Sequence, residues 1–299
     1  MINQLMTKTD VQNNVQKFSF VKSLLSFISM IFLLIVLPVS CCDWEQPVPL
    51  PTAGKPTSGR VVLVEDFTGT SCPNCPSGNA AVESMLEKYP DNTVAIAVHS
   101  NFLAQPAVTG EPRLNHAEAE AIEKLLGAWD AKPEAAINRT IFSGQPKIRI
   151  AKPDTWLQFM EQELQKKPGV DISIEKNYNS ATRELSMKVK VVAKEAINEA
   201  VHVHAMITES HIILSQKDQT QGTISGYEHN HVLRKVLSPI PGEKIADNMV
   251  AGQSIERSFT YTLPTHAQLW VDSNCSLVAF ASQNETKLYI LQAAETKLK

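Results

Sequence analysis

Two cysteines three positions apart have the spacing in this sequence that most directly suggests chemistry. Cys72-Pro73-Asn74-Cys75 places both sulfurs within reach of one disulfide across a tight turn. A helix that begins at Cys75 would place the first sulfur at its N-terminus, where unpaired N–H groups and the helix dipole favour thiolate over thiol. Because the thiolate is the nucleophile of disulfide exchange, the motif predicts a redox pair in which Cys72 is the more acidic and more exposed thiol.

The same motif has two other interpretations. A zinc site would need a second group of ligands, and no second Cys-x-x-Cys or Cys-x-x-His occurs in the chain. A purely structural disulfide stays open, because exported proteins contain many inert ones. The residues alone therefore leave a redox pair and a structural disulfide as alternatives.

Alternating strands and helices surround the motif. The apolar run at 61–64 is typical of a strand buried on both faces, and apolar spacing predicts a helix over 75–88 that ends before Pro90. Two further strands and two further helices are predicted at 93–99, 135–138, 115–128 and 154–167. This order predicts a small α/β domain at 60–168.

From about Val170 the pattern changes to strands. Segments with alternating or β-rich composition follow at 172–176, 184–193, 200–209, 231–237, 254–262, 276–282 and 287–291. Turn residues separate them, among them those at 219–226. About seven strands in a segment of this length predict an antiparallel, immunoglobulin-like β-sandwich at 170–299.

The segment 62–75 resembles the central strand, loop and first helical turn of the thioredoxin-like superfamily. The resemblance implies that Asp66 relays protons to the cysteines, with Glu65 as the alternative if the register shifts. It also implies that Pro133 is the cis-proline facing the disulfide. Otherwise Asp66 is an exposed acid at the loop entry and Pro133 an ordinary trans proline. Thioredoxins have a tryptophan directly before the first cysteine, and Ser71 at that position argues against a general reductase.

Three motifs extend this similarity along the chain. They read EDFTG with CPNCP at 65–76, PEAAINR at 133–139 and YEHNHVLR at 227–234. Together they resemble the twenty-eight-kilodalton outer-membrane protein (Omp) lipoprotein family of Bacteroides-type bacteria. The resemblance implies an outer-membrane lipoprotein with a thioredoxin-like domain and a β-sandwich, in a family for which adhesion or surface recognition has been suggested.

The N-terminus has the features of a lipoprotein signal peptide. Lysines precede an apolar run at 23–37, which is shorter than the roughly 20 residues of a membrane-spanning helix. Cys41 after a small residue resembles the lipidated cysteine, with Cys42 as the alternative. Residues 1–40 are thus interpreted as the signal peptide and the proline-rich 41–59 as a tether. A transmembrane anchor, or ordinary cleavage that leaves two free thiols, are the other interpretations.

Two pairs of histidines are weaker candidates for a metal site. His202 and His204 lie two apart in a predicted strand, as do His229 and His231, so each pair would share one strand face. Histidines that face solvent or pack across strands are the favoured interpretation. Neither a metal nor another cofactor is therefore expected.

Charge and the targeting segment narrow the expected partners. The formal net charge is -3 and no basic patch occurs, which argues against nucleic acid. The expected partners are a lipid bilayer, through an N-terminal acyl anchor, and either exported protein substrates or a surface partner. Two functions follow: a tethered thiol–disulfide oxidoreductase, or a non-enzymatic adhesion or binding lipoprotein that uses the sandwich.

Overall fold

Strands dominate the computed structural model, which describes residues 59–266, 268–283 and 288–299. The helices are α1 (Cys75–Lys88), α2 (Ala117–Leu125) and α3 (Trp156–Leu164). The strands are β1 (Val62–Thr68), β2 (Thr93–His99), β3 (Glu134–Ile137), β4 (Arg149–Ile150), β5 (Val170–Asn179), β6 (Glu184–Ala193), β7 (Val201–Glu209), β8 (Ile212–Asp218), β9 (Gly222–His229), β10 (Val232–Val236), β11 (Glu243–Ala246), β12 (Ser254–Thr262), β13 (Cys275–Gln283) and β14 (Tyr289–Lys297). The predicted signal peptide, Cys41 and Cys42 lie outside the described residues.

Nine of the described strands form one mixed sheet. Its order is β14-β13-β7-β10-β2-β1-β3-β4, and β11 pairs with β7 at the side. Strand β1 pairs in parallel with β2 and antiparallel with β3. Both β1 and β2 are buried along their whole length, because α1 and α3 cover one face of the sheet and α2 the other. No helix in the described ranges is both long and apolar enough to cross a bilayer.

The sheet continues across residue 169, where the hydrophobic pattern of the sequence changes. Strand β10 pairs with β2 through Val232 and Ala97. Leu63 of β1 and Met206 of β7 belong to the same hydrophobic cluster. The two segments thus share one sheet and one core, within a single compact unit. Their division into independently folding domains stays a prediction.

A second, three-stranded antiparallel sheet covers the outer part of the first. Its order is β12-β6-β5. The buried residues of β6 alternate along the strand, and Met187 and Val189 pack in one cluster with Val203 of β7 and Leu277 of β13. The alternation at 184–193 predicts this strand with the same bounds, because one face is buried and the other is solvated.

The sequence pattern predicts neither the short strand β11 nor the hairpin of β8 and β9. The pattern indicates a turn at 219–226, and this prediction is wrong because Gly222–His229 forms a strand paired with β8. Most side chains of β9 are exposed and two of its residues are glycines, so the alternation that marks a half-buried strand is missing. The two strands form their own small sheet beside the nine-stranded one.

Candidate redox site

Cys72 and Cys75 form a disulfide where the chain passes from β1 to α1. Their Cα atoms lie 5.4 Å apart, and Cys75 is the first residue of the helix, as predicted. Cys72 lies just before that helix. The pair therefore sits beyond the C-terminal end of a central buried strand and at the positive end of a helix dipole.

Both cysteines are buried in this disulfide form. Cys72 is 1% exposed and Cys75 is 0% exposed. The expectation that Cys72 is the more exposed thiol concerns the reduced pair and stays a prediction. In the oxidised protein the β8–β9 hairpin lies against the loop that carries Cys72.

One buried side chain connects the hairpin to the cysteine loop. Nε2 of Gln216, in β8, donates hydrogen bonds to the carbonyl oxygens of Cys72 at 2.9 Å and Gly69 at 3.2 Å. The same nitrogen lies 2.9 Å from the carbonyl oxygen of Lys217. Gln216 is 1% exposed, so these bonds form in a site without competing solvent.

The hairpin backbone adds two more hydrogen bonds to this loop. The main-chain N–H of Lys217 donates to the carbonyl oxygen of Thr70 at 2.8 Å. That of Gln219 donates to the carbonyl oxygen of Pro73 at 2.9 Å. Lys217 lies in β8 and Gln219 in the turn that follows it, so both the strand and the turn of the hairpin bind the cysteine loop.

Asp66 is the buried acid of the site. It lies within β1, is 3% exposed, and its Oδ1 has no hydrogen-bond partner among the residues the structure describes. Burial raises the pKa of Asp66 to about 7, although the positive charge of Lys132 acts in the opposite direction. A carboxyl group with this pKa exchanges its proton near neutral pH, as an acid–base group must.

A pocket of about 170 Å³ leads to Asp66. It lies between α1 and the end of the hairpin, and its walls include Asn79, Glu83, Tyr227 and His231. Nδ2 of Asn79 donates to the hydroxyl of Tyr227 at 2.9 Å across this pocket. The volume is large enough to hold water beside the buried carboxyl.

Glu65, the alternative acid, is committed to an ion pair. Nε and Nη2 of Arg139 lie 2.8 and 2.7 Å from the two carboxylate oxygens of Glu65. Both side chains are almost fully buried, and the guanidinium also lies over the ring of Phe280 at 5.2 Å. Asp66 is therefore the acid that faces the pocket, and Glu65 has a structural partner.

Lys132 places a positive charge beside the strand ends. Its Nζ donates to the carbonyl oxygen of Ser100 at 2.9 Å and its hydroxyl at 2.6 Å, and lies 3.3 Å from Oε1 of Glu123. Burial lowers the pKa of Lys132, while Glu123 and Asp66 act in the opposite direction. The sequence interpretation did not include this lysine.

Pro133 follows a cis peptide bond, as the thioredoxin-like resemblance implies. It packs on α1 at Gly78, where a Cβ atom would come 2.6 Å from Cβ of Pro133. The absence of a side chain at Gly78 lets the helix approach the proline loop this closely. A direct role of Pro133 in substrate binding stays a prediction.

We expect Gly78→Ala to lower the free energy of unfolding by about 1–2 kcal/mol, because overpacking against Pro133 outweighs the gain in helix propensity. Urea denaturation measures the change. Ser84→Ala is the control, because Ser84 is an exposed residue of the same helix. Equal or greater stability of Gly78→Ala would show that the contact yields without cost.

The first histidine pair is packed in the core. His202 and His204 are both buried in β7. His204 stacks on Phe280 with ring centroids 4.2 Å apart, and its Nε2 lies 2.9 Å from Oγ of Ser282. These contacts are those of a packed core residue.

The second pair does not share a strand face, so that prediction is wrong. His229 ends β9, whereas His231 lies between β9 and β10 with φ 55°. The ring of His229 contacts the ring of His99 edge-on, with centroids 5.7 Å apart. Within the described part of the chain, no three His, Cys, Asp or Glu side chains are grouped as metal ligands would be.

His99 is a further residue near the site that the sequence interpretation missed. It is 3% exposed at the end of β2, opposite Thr68 of β1. Burial, followed by the nearby His229, holds the pKa of His99 well below its usual range, so the ring is neutral at pH 7. The sequence could have indicated His99 as a site residue, because it is the last residue of a predicted strand and the C-terminal ends of parallel strands lie at the same edge of a sheet.

Comparison with known proteins places the chain in a family. The sequence profile of the family described as outer membrane protein Omp28 matches residues 122–299. The chain belongs to the Omp28 family. This Omp28 protein is therefore a protein of the outer membrane and cell envelope, as expected from its sequence. The matched region includes Pro133 and the β8–β9 hairpin but begins after the two cysteines.

One solved structure extends the similarity of this Omp28 protein at the level of fold. HBP35 of Porphyromonas gingivalis is 15% identical and matches over 80% of this chain and 75% of its own, with a TM-score of 0.61. Protein AGR_C_4864 from Agrobacterium tumefaciens is 13% identical over 80% of this chain and 96% of its own, with a TM-score of 0.48. No curated protein matches the sequence.

Proposed function

We propose that this Omp28-family protein is a thiol–disulfide oxidoreductase, anchored by lipid at Cys41 or Cys42, that acts on exported proteins. The observation that carries the proposal is the Cys72–Cys75 disulfide at the N-terminus of α1. The helix dipole favours the thiolate of Cys72 once the pair is reduced. Membership of an outer-membrane family supports the place of action.

A thioredoxin-like domain and an immunoglobulin-like sandwich are part of this proposal. The first is supported by β1, which lies between parallel β2 and antiparallel β3 with helices on both faces. The second is supported by the packing of the β12-β6-β5 sheet on strands β7 and β13. The thioredoxin-like domain would then carry out the redox chemistry, and the sandwich would make the surface contacts.

The exchange proceeds through a mixed disulfide. The Cys72 thiolate attacks one sulfur of a substrate disulfide, forms a new S–S bond, and releases the other substrate sulfur as a thiolate. Asp66 accepts the proton of Cys75, whose sulfur then attacks Cys72 and releases the second substrate thiolate. The substrate gains two electrons, the Cys72–Cys75 pair loses two, and the reverse sequence oxidises a substrate dithiol.

Equilibration of the folded protein with dithiol buffers of graded potential tests the proposal. We expect a reversible two-electron transition of the pair, and faster alkylation of Cys72 in Cys75→Ser than of an ordinary thiol. The cysteine of a short unstructured peptide is the reference for an ordinary thiol, and Cys275 should stay unlabelled, because burial raises the pKa of its thiol to about 12. A pair that is reduced only after unfolding would contradict the proposal.

The second candidate is an adhesion or binding protein in which the disulfide is structural. The burial of Cys72 under the hairpin favours it, since a catalytic sulfur must reach its substrate. In that case the sandwich face would hold the partner. The same titration separates the two functions, because a structural disulfide resists reduction while the protein stays folded.

A further inference from the structure

The β8–β9 hairpin covers the loop that carries Cys72. We propose that it is a strap that occupies the peptide-binding surface of the cysteine loop, and that the pair reacts with extended polypeptide substrates only when this strap lifts. The inference rests on the proposed function, because it assumes that Cys72 reacts with exported proteins.

The strap holds the cysteine loop through its main chain. Its main-chain N–H groups at Lys217 and Gln219 donate to the carbonyl oxygens of Thr70 and Pro73. Peptides that bind as an added strand are recognised through such main-chain hydrogen bonds, which do not depend on their sequence. A substrate segment that donates main-chain hydrogen bonds to the same two carbonyl groups would take the place of the strap beside Cys72.

The strap is separate from the nine-stranded sheet. Its two strands pair with each other and, among the described strands, with none of the nine-stranded sheet. A two-stranded hairpin on its own is marginally stable, so its position depends on its contacts with the body. His211 and His231 stand at its two ends with φ 57° and 55°, so both connections to the body turn sharply through the left-handed region.

Apolar contacts hold the base of the strap, because Ile212 and Leu214 pack in one buried cluster with Leu114, Val232 and Leu269. Two polar anchors add to these contacts and to Gln216. The N–H and hydroxyl of Ser215 donate to the carboxylate of Glu111, with the hydroxyl at 2.7 Å from Oε1. The hydroxyl of Tyr227 accepts from Asn79 of α1. We call Gln216 the latch, because its side-chain amide donates a hydrogen bond directly to the carbonyl oxygen of Cys72.

Labelling of Cys72 with two maleimides of different size tests the strap in the reduced full-length protein. N-ethylmaleimide is the small reagent, and a maleimide with a long polyethylene glycol chain represents a polypeptide. Mass mapping of peptides identifies the labelled cysteine. We expect wild type to react with the small reagent and much more slowly with the large one.

Loss of the Gln216 latch should open the site. We expect Gln216→Ala to speed labelling by the large reagent about tenfold, because two hydrogen bonds to the loop are removed. Gln216→Met removes the donors while it keeps the volume, and it serves if the alanine variant does not fold. Thr223→Ala is the matched control, since Thr223 contacts Lys217 within the strap and should leave the rate unchanged.

The outcomes separate the strap from the proposed function. If the large reagent labels wild-type Cys72 as fast as the small one, or if both Gln216 variants match wild type, the strap is overturned while the redox pair stands. If the pair cannot be reduced while the protein stays folded, or if neither reagent labels Cys72 in any folded variant, both proposals fail. Faster labelling by the large reagent in the Gln216 variants alone supports the strap.

Discussion

Replacing Arg139 by methionine is expected to lower the free energy of unfolding by about 3–5 kcal/mol. The change leaves the Glu65 carboxylate buried without its bidentate partner, and the side chain of Glu65 is 1% exposed. An unpaired charge in that position costs far more than the hydrophobic packing of methionine returns. Chemical denaturation monitored by circular dichroism measures the loss.

The double variant Glu65→Leu with Arg139→Met is the decisive control. Because it removes both charges together, we expect it to be more stable than Arg139→Met alone. Lys194→Met removes one member of the exposed pair with Asp171, and we expect it to cost less than about 1 kcal/mol. If Arg139→Met is no more harmful than Lys194→Met, the buried pair contributes little to the stability of the fold.

Asp66→Asn is expected to stabilise the oxidised protein at pH 8 by about 4 kcal/mol, at roughly 1.4 kcal/mol per unit of pKa shift. Burial raises the pKa of Asp66 from 3.8 to about 7. Above that pH the folded protein holds a buried, charged carboxylate that the unfolded chain exposes to water. Asparagine has a similar shape and no charge to bury.

The pH dependence follows from the same shift. Between about pH 4 and 7 the folded state holds the Asp66 proton and the unfolded state has released it, so wild-type stability falls as the pH rises. We expect Asp66→Asn to lack this fall and to match wild type near pH 4. Asp154→Asn, at an exposed carboxyl, controls for loss of one charge. Parallel stability curves for wild type and Asp66→Asn from pH 4 to 8 would refute the buried-acid role.

Local features of the site were predictable from the sequence. The bounds of α1 at 75–88 and the pairing of Cys72 with Cys75 depend on residues a few positions apart, where turn and helix signals act directly. The cis bond before Pro133 followed from the family resemblance. These are the parts of the fold in which local propensity and tertiary structure agree.

The choice between Glu65 and Asp66 could not be made from their own positions. Successive strand residues point to opposite faces, and both faces of β1 are buried, so either acid could have served. Arg139, far along the chain, decides the matter by pairing with Glu65. A partner that distant leaves no periodic signal in the sequence.

Long-range pairing also explains what the sequence interpretation missed at the level of architecture. The contact that joins the two halves of the sheet is short, and it links Val232 with Ala97. The hairpin above Cys72 lacks the alternation of a half-buried strand and is not part of the main sheet. The polar residues at 219–226 therefore predict a turn where much of β9 lies. Burial of Cys72 therefore became visible only in three dimensions.

The distance along the chain between Cys72 and the hairpin sets an order of events during biogenesis. The N-terminal part of a chain emerges first. Because the two cysteines lie three positions apart, they can form their disulfide as soon as β1 and α1 pack together. The hairpin follows about 140 residues later, and only then can it close over them. An oxidant of the envelope thus encounters an exposed cysteine pair while the protein is still folding, whereas any partner of the fully folded protein encounters a buried pair.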